Sequence, residues 1–585
     1  MGTVFAACLT QPDKSGYNAG VTSHKLIKGV DVKYYLNGKQ AQETDRYTQE
    51  VTGIPGIVLM ERAALKLAGC IDDACRKTEG FNKKKDKILA IAESGNNGGD
   101  AVAAARILKG MGYDTYVYEI NRIGKKSESY IKQINIAKNS SVQFVVQGNL
   151  SDSKAEDLFS EYRVIIDGIF GVGLSREVSG IHADVINAVN AASLKNDILV
   201  VGCDIPSGIS SDTGHIMGTA VKCDITVTFQ YIKCGMLSGE GRECSGQIIC
   251  EDIGLFRPQT VPALADVLTA ATGPYLYYEY DNEEIADHIP RRRADSNKGD
   301  CGKVLIVAGS RDVYGALYMC AESCLRSGAG LVKIVSDRAN RDLCMDKLPE
   351  AMMLAYETES AGSAFDEEYK KAIEWADVIL AGPGLGTGEM QAGLIGKLIG
   401  YCRPGQSVVL DADALNIISD MDAAEVFGRL KAKLGYEHVI ITPHMGEMLR
   451  LLKGSCTMMQ LKDNRAEAAA GYADKNGIIC ILKDARTVIG CTGSVSGRQL
   501  VYVNTTGNAG MAKGGSGDVL AGIVAGIIAQ NKDDEKTNYE MCCAAVNIHG
   551  RAGDMARDGK GETQMLARDI IGNIGTVLSS SLKGI

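Results

Sequence analysis

Short apolar runs alternate with helical segments along most of this chain, and that alternation constrains its fold more than any other feature. Three early runs each end in a Gly/Asp loop, as buried strands do: Lys87–Ala92, Val164–Asp167 and Ile198–Asp204. Two more strand-like stretches follow at Asp224–Leu237 and Gly246–Leu255. Strands that alternate with helices predict a parallel sheet covered by helices on both faces.

A second series of the same kind begins after a break in the pattern. The stretch Arg257–Gly273 shows neither the two-residue period of a strand nor the 3.6-residue period of a helix, and it is interpreted as a linker. The later candidate strands are Lys303–Ser310, Leu331–Ser336, Val378–Gly384, Ser407–Asp413, His438–His444 and Ile478–Asp484. In a chain of 585 residues, two complete α/β series predict two domains. The expected boundaries are an extension at 1–30, a first domain at 31–258, a linker at 259–280 and a second domain at 281–585.

Composition excludes several classes of function. The net charge is −9, whereas a nucleic-acid partner requires clustered Lys and Arg. The 18 cysteines form no CxxC pair and are interpreted as thiols of a reducing compartment. The 7 histidines show no zinc-ligand spacing, and no apolar stretch reaches the roughly 18 residues of a membrane span. We expect a cytoplasmic protein with neither nucleic-acid nor membrane partners.

The first loop whose residues are typical of a binding site is ESGNNGGDAVAAARIL, at Glu93–Leu108. It follows a strand and opens a helix, which is the context for anion binding at a helix N-terminus. Asn96, Asn97 and Asp100 add oxygen ligands and hydrogen bonds to glycines that let a ligand approach the backbone. The alternative is a tight turn with an Asx cap.

Two more loops follow strands of the first series, at Asp167–Glu177 and Cys203–Gly214. The carboxyl ends of strands in an open α/β sheet face the ligand crevice, so we expect Asn97, Asp167, Asp204 and Ser207 to converge. Their oxygens suit a hard monovalent or divalent cation. Alternatively one carboxylate is a general acid/base, and Asp204 alone is also explained as a helix cap.

The stretch NAGMAKGGSGDVLAGIVAG, at Asn508–Gly526, combines a glycine cluster with an apolar helix. Gly514, Gly515 and Gly517 let backbone N–H groups point at a phosphoryl group, and the helix expected from about Val519 adds its positive end. Asp518 is placed to accept a proton from a hydroxyl nucleophile. The alternative is a glycine turn with an Asp cap, followed by a helix that is simply buried.

The first half resembles the NAD(P)H-hydrate epimerases, on QAQETDRYTQEVTGIPGIVLMERAA, GNNGGD, DGIFGVGLSREVSG, DIPSGISSDTG and GQIICEDIGL. The resemblance implies a potassium ion held by Asn97, Asp167 and Ser207. It implies that the hydrated nucleotide is bound by Asn96, Asn97, Gly98, Gly99, Asp100, Gly171, Val172, Gly173, Leu174, Ser175, Arg176, Glu177 and Asp204. Three positions depart from the family pattern, at Arg62, Ala64 and Ala101.

The second half resembles the ADP/ATP-dependent NAD(P)H-hydrate dehydratases of the ribokinase-like superfamily. The matching stretches include GALYMCAES, GPGLGTG, LDADALN, TPHMGE, LKDARTVI and GNAGMAKGGSGDVLAG. The resemblance implies that the hydrate contacts Ala316, Gly384, His444 and Asp518, and that the nucleotide contacts Lys483, Asp484, Ala485, Arg486, Thr487 and Gly517. Asn297, Met445 and Asp484 depart from the pattern, and the added carboxylate of Asp484 is expected to weaken nucleotide binding.

The expected fold is α/β in two domains, an N-terminal Rossmann-like three-layer α/β/α domain and a C-terminal ribokinase-like α/β/α domain. The fusion resembles the bifunctional NAD(P)H-hydrate repair enzymes. That resemblance implies epimerisation of R- and S-hydrates with Asp204 as acid/base. It also implies ADP-dependent dehydration of the S-hydrate with Asp518 as base, Mg²⁺ as cofactor, and AMP and phosphate as products. A homo-oligomer is expected.

Two other functions are compatible with parts of the sequence. A ribokinase-like kinase of a hydroxymethyl vitamin precursor accounts for the glycine loop at Asn508–Gly526 but not for the first domain. Decay of one domain into a nucleotide-binding module accounts for the departures at Arg62 and Asp484.

Overall fold

The computed structural model describes residues 32–120, 126–145, 152–258, 261–272, 275–357, 363–492, 499–532 and 536–582. The expected extension at 1–30 lies outside these described residues. The described residues form two compact units, one of Tyr34–Leu276 and one that contains the residues from Tyr277 onward together with Val32 and Lys33. None of the helices in the described ranges has the length and apolar character needed to cross a membrane.

Parallel strands and their crossover helices build the unit at Tyr34–Leu276. Its strands are β1 (Val32–Leu36), β2 (Lys87–Ala92), β3 (Asp114–Glu119), β4 (Gln143–Phe144), β5 (Val164–Gly168), β6 (Leu199–Cys203), β7 (Ile225–Phe229), β8 (Ile232–Lys233) and β9 (Gln247–Glu251). Its helices are α1 (Gly38–Glu50), α2 (Gly56–Lys77), α3 (Asn96–Gly110), α4 (Glu128–Asn139), α5 (Asp152–Phe159), α6 (Ile181–Lys195), α7 (Gly239–Ser245) and α8 (Pro262–Thr272).

Seven of these strands form one sheet in the order β4-β3-β2-β5-β6-β7-β9, and every neighbouring pair is parallel. The chain runs outward from β2 to β4 and then returns to β5 to build the other half. The strand order therefore reverses between β2 and β5, which is where open α/β sheets bind ligands. The short strands β1 and β8 pair with each other in parallel.

Alternate residues of the central strand β2 pack on opposite faces of the sheet. Ile88, Ala90 and Ala92 belong to a core shared with helices α2, α3 and α4. Leu89 and Ile91 belong to a second core shared with α5 and α6. Both faces are covered, so the expected three-layer α/β/α arrangement is confirmed, and the continuous apolar run of β2 follows from burial on two sides.

The second unit is built in the same way. Its strands are β10 (Tyr275–Tyr280, which begins before the unit boundary), β11 (Lys303–Val307), β12 (Leu331–Asp337), β13 (Met352–Tyr356), β14 (Val378–Ala381), β15 (Ser407–Leu410), β16 (Val439–Ile441), β17 (Ile479–Leu482), β18 (Val488–Gly490) and β19 (Gln499–Val503). Its helices are α9 (Asn282–Asp287), α10 (Tyr314–Arg326), α11 (Arg341–Lys347), α12 (Ser363–Trp375), α13 (Glu389–Tyr401), α14 (Ala412–Asp420), α15 (Ala423–Leu434), α16 (Met445–Leu451), α17 (Met458–Asp463), α18 (Arg465–Asn476), α19 (Ser516–Ile528), α20 (Asn538–Lys560) and α21 (Ala567–Leu582).

The sheet of this unit has the order β13-β12-β11-β14-β15-β16-β17-β18-β19-β10. The strands from β13 to β17 are parallel neighbours, and β18 runs antiparallel to both β17 and β19. The order reverses between β11 and β14, so a second ligand crevice is expected at that point.

Helix α19, which follows the glycine loop, is buried along most of its length. A Cβ added at Gly522 would lie 2.1 Å from the Ser323 Oγ of α10, and one at Gly526 would lie 2.5 Å from the Cys324 carbonyl oxygen. The two glycines therefore let α19 pack directly against α10. The expectation of a buried helix is confirmed, although the helix begins at Ser516 rather than near Val519.

Two segments differ from their sequence-based description. The sequence from about Tyr34 to Leu67 predicts helices, and α1 and α2 lie there, but the stretch begins with strand β1, whose Tyr35 and Leu36 pair with Ile232 and Lys233 of β8. The segment at 259–280, expected to be a linker, contains helix α8 and strand β10. Neither segment has an alternating pattern in its sequence, so its regular secondary structure depends on tertiary contacts.

Candidate active sites

A cavity of about 640 Å³ opens at the reversal point of the first sheet. Loops after β2, β5 and β6 form its floor, and helices α1 and α2 form its opposite wall. Its lining residues are Ala41, Gln42, Asp45, Gln49, Gly56, Leu59, Met60, Ala63, Glu93, Gly95, Asn96, Asn97, Asp100, Ser129, Ile169, Phe170, Gly171, Val172, Gly173, Leu174, Ser175, Arg176, Asp204, Phe229, Tyr231, Lys233, Ile253 and Leu255.

The glycines after β2 act differently from the polar residues around them. Asn96, Asn97 and Asp100 line the cavity, whereas Gly98 and Gly99 do not. A Cβ at Gly98 would lie 1.8 Å from the Glu93 carbonyl oxygen, and one at Gly99 would lie 2.8 Å from the Met60 Cε. These glycines let the first turn of α3 pack against the strand end and against α2.

The loop after β5 supplies one side of the cavity. The segment from Gly171 to Arg176 lines it, and Glu177 lies beyond the lining residues. The Phe170 carbonyl accepts a hydrogen bond from Asn97 Nδ2 at 3.0 Å, which ties this loop to the start of α3.

The three residues expected to hold potassium meet around Phe170. Ser207 donates from its backbone N–H and its hydroxyl to the Asp167 carboxylate, at 2.7 and 2.5 Å. Ser207 Oγ accepts the Phe170 N–H at 2.8 Å. Burial raises the pKa of Asp167 to about 6, against the hydrogen bonds that stabilise its charge. Asn97, Asp167 and Ser207 thus lie together at the end of β5, as the sequence predicts.

Asp204 lies on the same cavity wall and has a left-handed backbone, with φ of 67°. Strained conformations of this kind cluster at functional sites. Its carboxylate forms an ion pair with Lys233, whose side chain is only 3% exposed. Sequence reasoning missed Lys233, because nothing local distinguishes it from a lysine at the edge of a strand.

Two further carboxylates face this ion pair. Burial, and then repulsion from Asp204 and Asp45, raise the pKa of Asp100 well above its usual range. Burial also raises the pKa of Asp45, with a smaller contribution from Asp204. The cavity therefore combines one lysine-paired carboxylate with carboxyl groups that resist ionisation. This separation of environments is typical of acid/base sites.

A second pair at the cavity was also missed. His182 Nε2 lies 2.6 Å from Glu93 Oε2, and its ring lies 5.1 Å from the ring of Phe170. Burial opposes ionisation of Glu93, but hydrogen bonds from His182 and Ser94 outweigh burial and lower its pKa. The pair supports the loop that carries Phe170.

In the second unit, the predicted hydrate contacts Ala316 and Gly384 meet at the reversal between β11 and β14. Gly384 has a φ of 59°, and a Cβ there would lie 2.9 Å from the Ala316 Cβ. Only glycine lets the loop after β14 approach the start of α10 this closely.

An ion pair crosses the ends of β15 and β17. Lys483 Nζ lies 2.5 Å from the Asp411 Oδ1, and Asp411 is 1% exposed. Burial opposes the charge of Lys483, but Asp411 and Glu447 outweigh it and raise the lysine pKa. A Cβ at Gly517 would lie 3.2 Å from the same Nζ. Lys483 therefore lies between the end of β17 and the glycine loop.

Asp518 lies in the first turn of α19, three residues after Gly515, which precedes the helix and has a φ of 97°. Burial raises the pKa of Asp518 to about 7, and repulsion from Asp411 adds to the shift while Lys483 opposes it. A carboxylate with a pKa near 7 is suited to general-base catalysis at neutral pH. The start of the loop is held by Asp554, which accepts from the Gly507 N–H at 2.9 Å.

His444 caps helix α16 at the end of β16. Its Nδ1 accepts from the Gly446 N–H at 2.9 Å, and its Nε2 lies 3.2 Å from Glu447 Oε1. Burial raises the pKa of Glu447. The departure Met445 is the first residue of this helix and leaves the cap intact.

The residues predicted for nucleotide binding at 483–487 connect β17 to β18. The departure Asp484 forms an ion pair with Arg465 at 2.7 Å, so its added charge is compensated within the fold. In the first unit, the departure Arg62 donates to the Ile253 carbonyl, and Ala64 and Ala101 are fully buried in the core. Asn297 lies in an exposed turn, where its side chain accepts from the Gly299 N–H at 2.8 Å.

Comparison with known proteins covers both units. Residues 56–235 match the family model described as YjeF-related protein N-terminus, and residues 304–575 match the model described as NAD(P)H-hydrate dehydratase. A bifunctional NAD(P)H-hydrate repair enzyme from Leishmania braziliensis is 32% identical over 511 residues, covering 84% of this chain and 86% of the relative.

A bifunctional NAD(P)H-hydrate repair enzyme from Moorella thermoacetica is 32% identical over 547 residues, covering 92% of this chain and 95% of the relative. Among solved structures, a ribokinase-like superfamily protein from Enterococcus faecalis is 30% identical, covers 52% of this chain and 96% of its own, and aligns with a TM-score of 0.44.

Proposed function

This chain belongs to the family of bifunctional NAD(P)H-hydrate repair enzymes, and we propose that it returns both hydrate epimers to NAD(P)H. The unit at Tyr34–Leu276 acts as the epimerase and the unit from Tyr277 as the ADP-dependent dehydratase. One observation carries the proposal: each unit holds a lysine–carboxylate ion pair with one almost fully buried partner, and the carboxylate directly follows a parallel strand. Two complete sites favour two activities over one decayed domain.

For the epimerase, the substrate occupies the 640 Å³ cavity, with Asn96, Asn97, Asp100 and the loop from Gly171 to Arg176 around it. Asp204 takes the proton of the substrate hydroxyl as the bond between the hydroxyl-bearing carbon and the ring nitrogen breaks, which leaves an aldehyde and a nitrogen anion conjugated with the ring double bond. The nitrogen then adds to the other face of the aldehyde, and Asp204 returns the proton to the oxygen, so the carbon is inverted. Gly98, Gly99 and Glu177 shape the walls rather than contact the ligand.

For the dehydratase, Asp518 accepts the proton of the S-hydrate hydroxyl as its oxygen attacks the terminal phosphorus of ADP. The bond between phosphorus and the bridging oxygen breaks, and AMP leaves. Lys483 and the N–H groups around Gly517 hold the phosphoryl charge. The phosphorylated carbon then loses phosphate, a ring C–H gives up its proton, and the double bond of NAD(P)H forms. His444, Ala316 and Gly384 shape the hydrate side of the site.

The oxygen set of Asn97, Asp167, Ser207 and the Phe170 carbonyl fits potassium, because it contains one carboxylate and several neutral donors and lacks nitrogen or sulfur ligands. Potassium would hold the loop after β5 in place. Among the described residues, no group of three or more His, Cys, Asp or Glu side chains is placed to hold a metal. The proposed Mg²⁺ would therefore reach the second site on the nucleotide phosphates, as Mg²⁺ commonly does.

The proposal includes a cytoplasmic location and a homo-oligomer. All of the cysteines in the described part of the chain are free thiols, which supports a reducing compartment. Light scattering after size-exclusion chromatography measures the oligomeric state directly.

The test is repair of purified NADH hydrates followed by absorbance at 340 nm. With ADP, the S-epimer should give NADH together with AMP and phosphate, and the R-epimer should follow through epimerisation. ATP and a nucleotide-free sample are run in parallel. Hydrate consumption that stops at a stable phosphorylated product would contradict the dehydratase assignment, and an R-epimer that stays unchanged would contradict the epimerase assignment.

A further inference from the structure

We propose that Lys233 is the positioning residue of the epimerase site, because it holds one oxygen of Asp204 and leaves the other to the substrate. This inference rests on the proposed epimerase function and assigns a role that the glycine and Asp motifs do not contain.

The contacts of Asp204 are one-sided. Its Oδ1 accepts the Lys233 ammonium, the Phe229 N–H at 3.0 Å and the Thr228 hydroxyl at 3.2 Å. Within the described residues, no group donates to its Oδ2, although Asp204 lines the cavity. A carboxylate anchored through one oxygen has a fixed orientation, and its second oxygen is directed to the ligand space.

Lys233 is itself held in place. Its Nζ also donates to Thr228 Oγ1 at 2.9 Å and to the Phe229 carbonyl at 3.5 Å. Its backbone lies in β8, where it pairs with Leu36 of β1. The side chain is 3% exposed, so rotamer freedom is small and the ammonium stays at the carboxylate.

Lys233 pairs with Asp204 in a part of the cavity that is rich in carboxyl groups. Asp45 on α1 and Asp100 on α3 both lie near Asp204, and burial raises the pKa of each. Lys233 is the cation of this group that contacts Asp204 directly. Lys233 thus keeps the Asp204 carboxylate in one orientation toward the cavity, and a carboxylate that loses this orientation is no longer placed to take the substrate proton.

The experiment compares Lys233→Met, Lys233→Arg, Asp204→Asn and the double variant Asp204→Asn/Lys233→Met in the full chain. Lys66→Met is the matched control, because it removes an exposed ion pair with Glu251 from the same unit. Conversion of the purified R-hydrate to the S-hydrate is followed by chromatography, and dehydration of the S-hydrate with ADP reports the other activity of the same sample.

Lys233→Met should lower the epimerase kcat by at least about 100-fold, with KM changed by less than about threefold, because base catalysis rather than binding is lost. Lys233→Arg should recover most of that loss, since it restores the charge. The double variant should be no slower than Asp204→Asn, because both changes act on the same base. Lys66→Met and all dehydratase rates should match the parent protein.

An unchanged kcat in Lys233→Met, or a double variant that loses the product of both single effects, would overturn the inference. If Lys233→Met fails to fold, Lys233→Arg decides: a folded Lys233→Arg protein as slow as Asp204→Asn would also overturn it. If instead Asp204→Asn keeps parental activity, the base assignment in the proposed function fails, and Lys233 has no base to position. These outcomes are distinguishable in one series.

Discussion

Replacing Asp518 with Asn should make the dehydratase slower and the second unit more stable at alkaline pH. Burial and the neighbouring Asp411 raise the pKa of this carboxyl from 3.8 to about 7. That shift of roughly three units corresponds to about 4 kcal/mol of unfavourable free energy for the charged form in the folded protein. The asparagine removes that term and, like the protonated carboxyl group, buries a neutral polar side chain, so the remaining burial cost is similar in the two proteins.

The net gain at pH 8 should therefore be about 4 kcal/mol, and it should depend on pH with a definite sign. A carboxyl whose folded pKa is raised is neutral in both states below its unfolded pKa, so it costs nothing there. The cost grows between the unfolded value of 3.8 and the folded value of about 7, and it is complete above that. Asp518→Asn should be more stable than the parent at pH 8 and nearly equal to it at pH 4.

The rate should move in the opposite direction. General-base catalysis contributes about 10²–10⁴-fold, so kcat for dehydration of the S-hydrate should fall by that factor. In the parent protein, kcat should rise with pH through about 7, as the base loses its proton. The epimerase rate of the same protein serves as the control, because Asp518 lies in the other unit.

Calorimetry of the full chain at pH 4 and pH 8 measures the stability, and the transition that shifts with added ADP identifies the dehydratase unit. A parental kcat in Asp518→Asn would remove the base assignment. A stability gain of equal size at pH 4 and pH 8 would show that charge burial is not the cause, whatever the rate.

Three other predictions follow from the contacts. Asp484→Gly should change the KM for ADP by less than about threefold, because Arg465 already compensates the carboxylate. Arg465→Met should raise this KM by about tenfold. A large decrease of the KM in Asp484→Gly would contradict the compensation. Ser207→Ala should abolish the response of the epimerase to K⁺ in a titration against Na⁺, since the hydroxyl links Asp167 to the Phe170 loop; an unchanged titration would place the cation elsewhere. Gly522→Val should destabilise the second unit by more than about 3 kcal/mol in denaturant unfolding, while Gly575→Ala, in open space on α21, should be neutral or stabilising; equal effects would refute the close helix packing.

The alternation of apolar runs and helices predicts the two-domain α/β architecture, and glycine and aspartate mark the loops that carry the candidate sites. Strands such as β2, buried on both faces, appear as continuous apolar runs, and their ends are marked by glycine and aspartate. The rule that these ends face one crevice placed Asn97, Asp167 and Ser207 together, and the structure has them linked through Phe170.

The surroundings of individual residues inside those loops depend on contacts between parts of the chain that are distant in sequence. Gly98 and Gly99 looked like ligand-facing residues but make room for Glu93 and Met60, because backbone crowding depends on neighbours that are remote in sequence. The charge of Asp484 looked uncompensated until the fold placed Arg465 beside it. Lys233 is one of many lysines in the sequence and nothing local marks it. Its proposed role follows from the position of β8 beside β1, where its ammonium contacts Asp204. The local sequence pattern indicates which strands are buried. The charge balance, orientation and reactivity of the site side chains depend instead on neighbours that only the folded chain brings close.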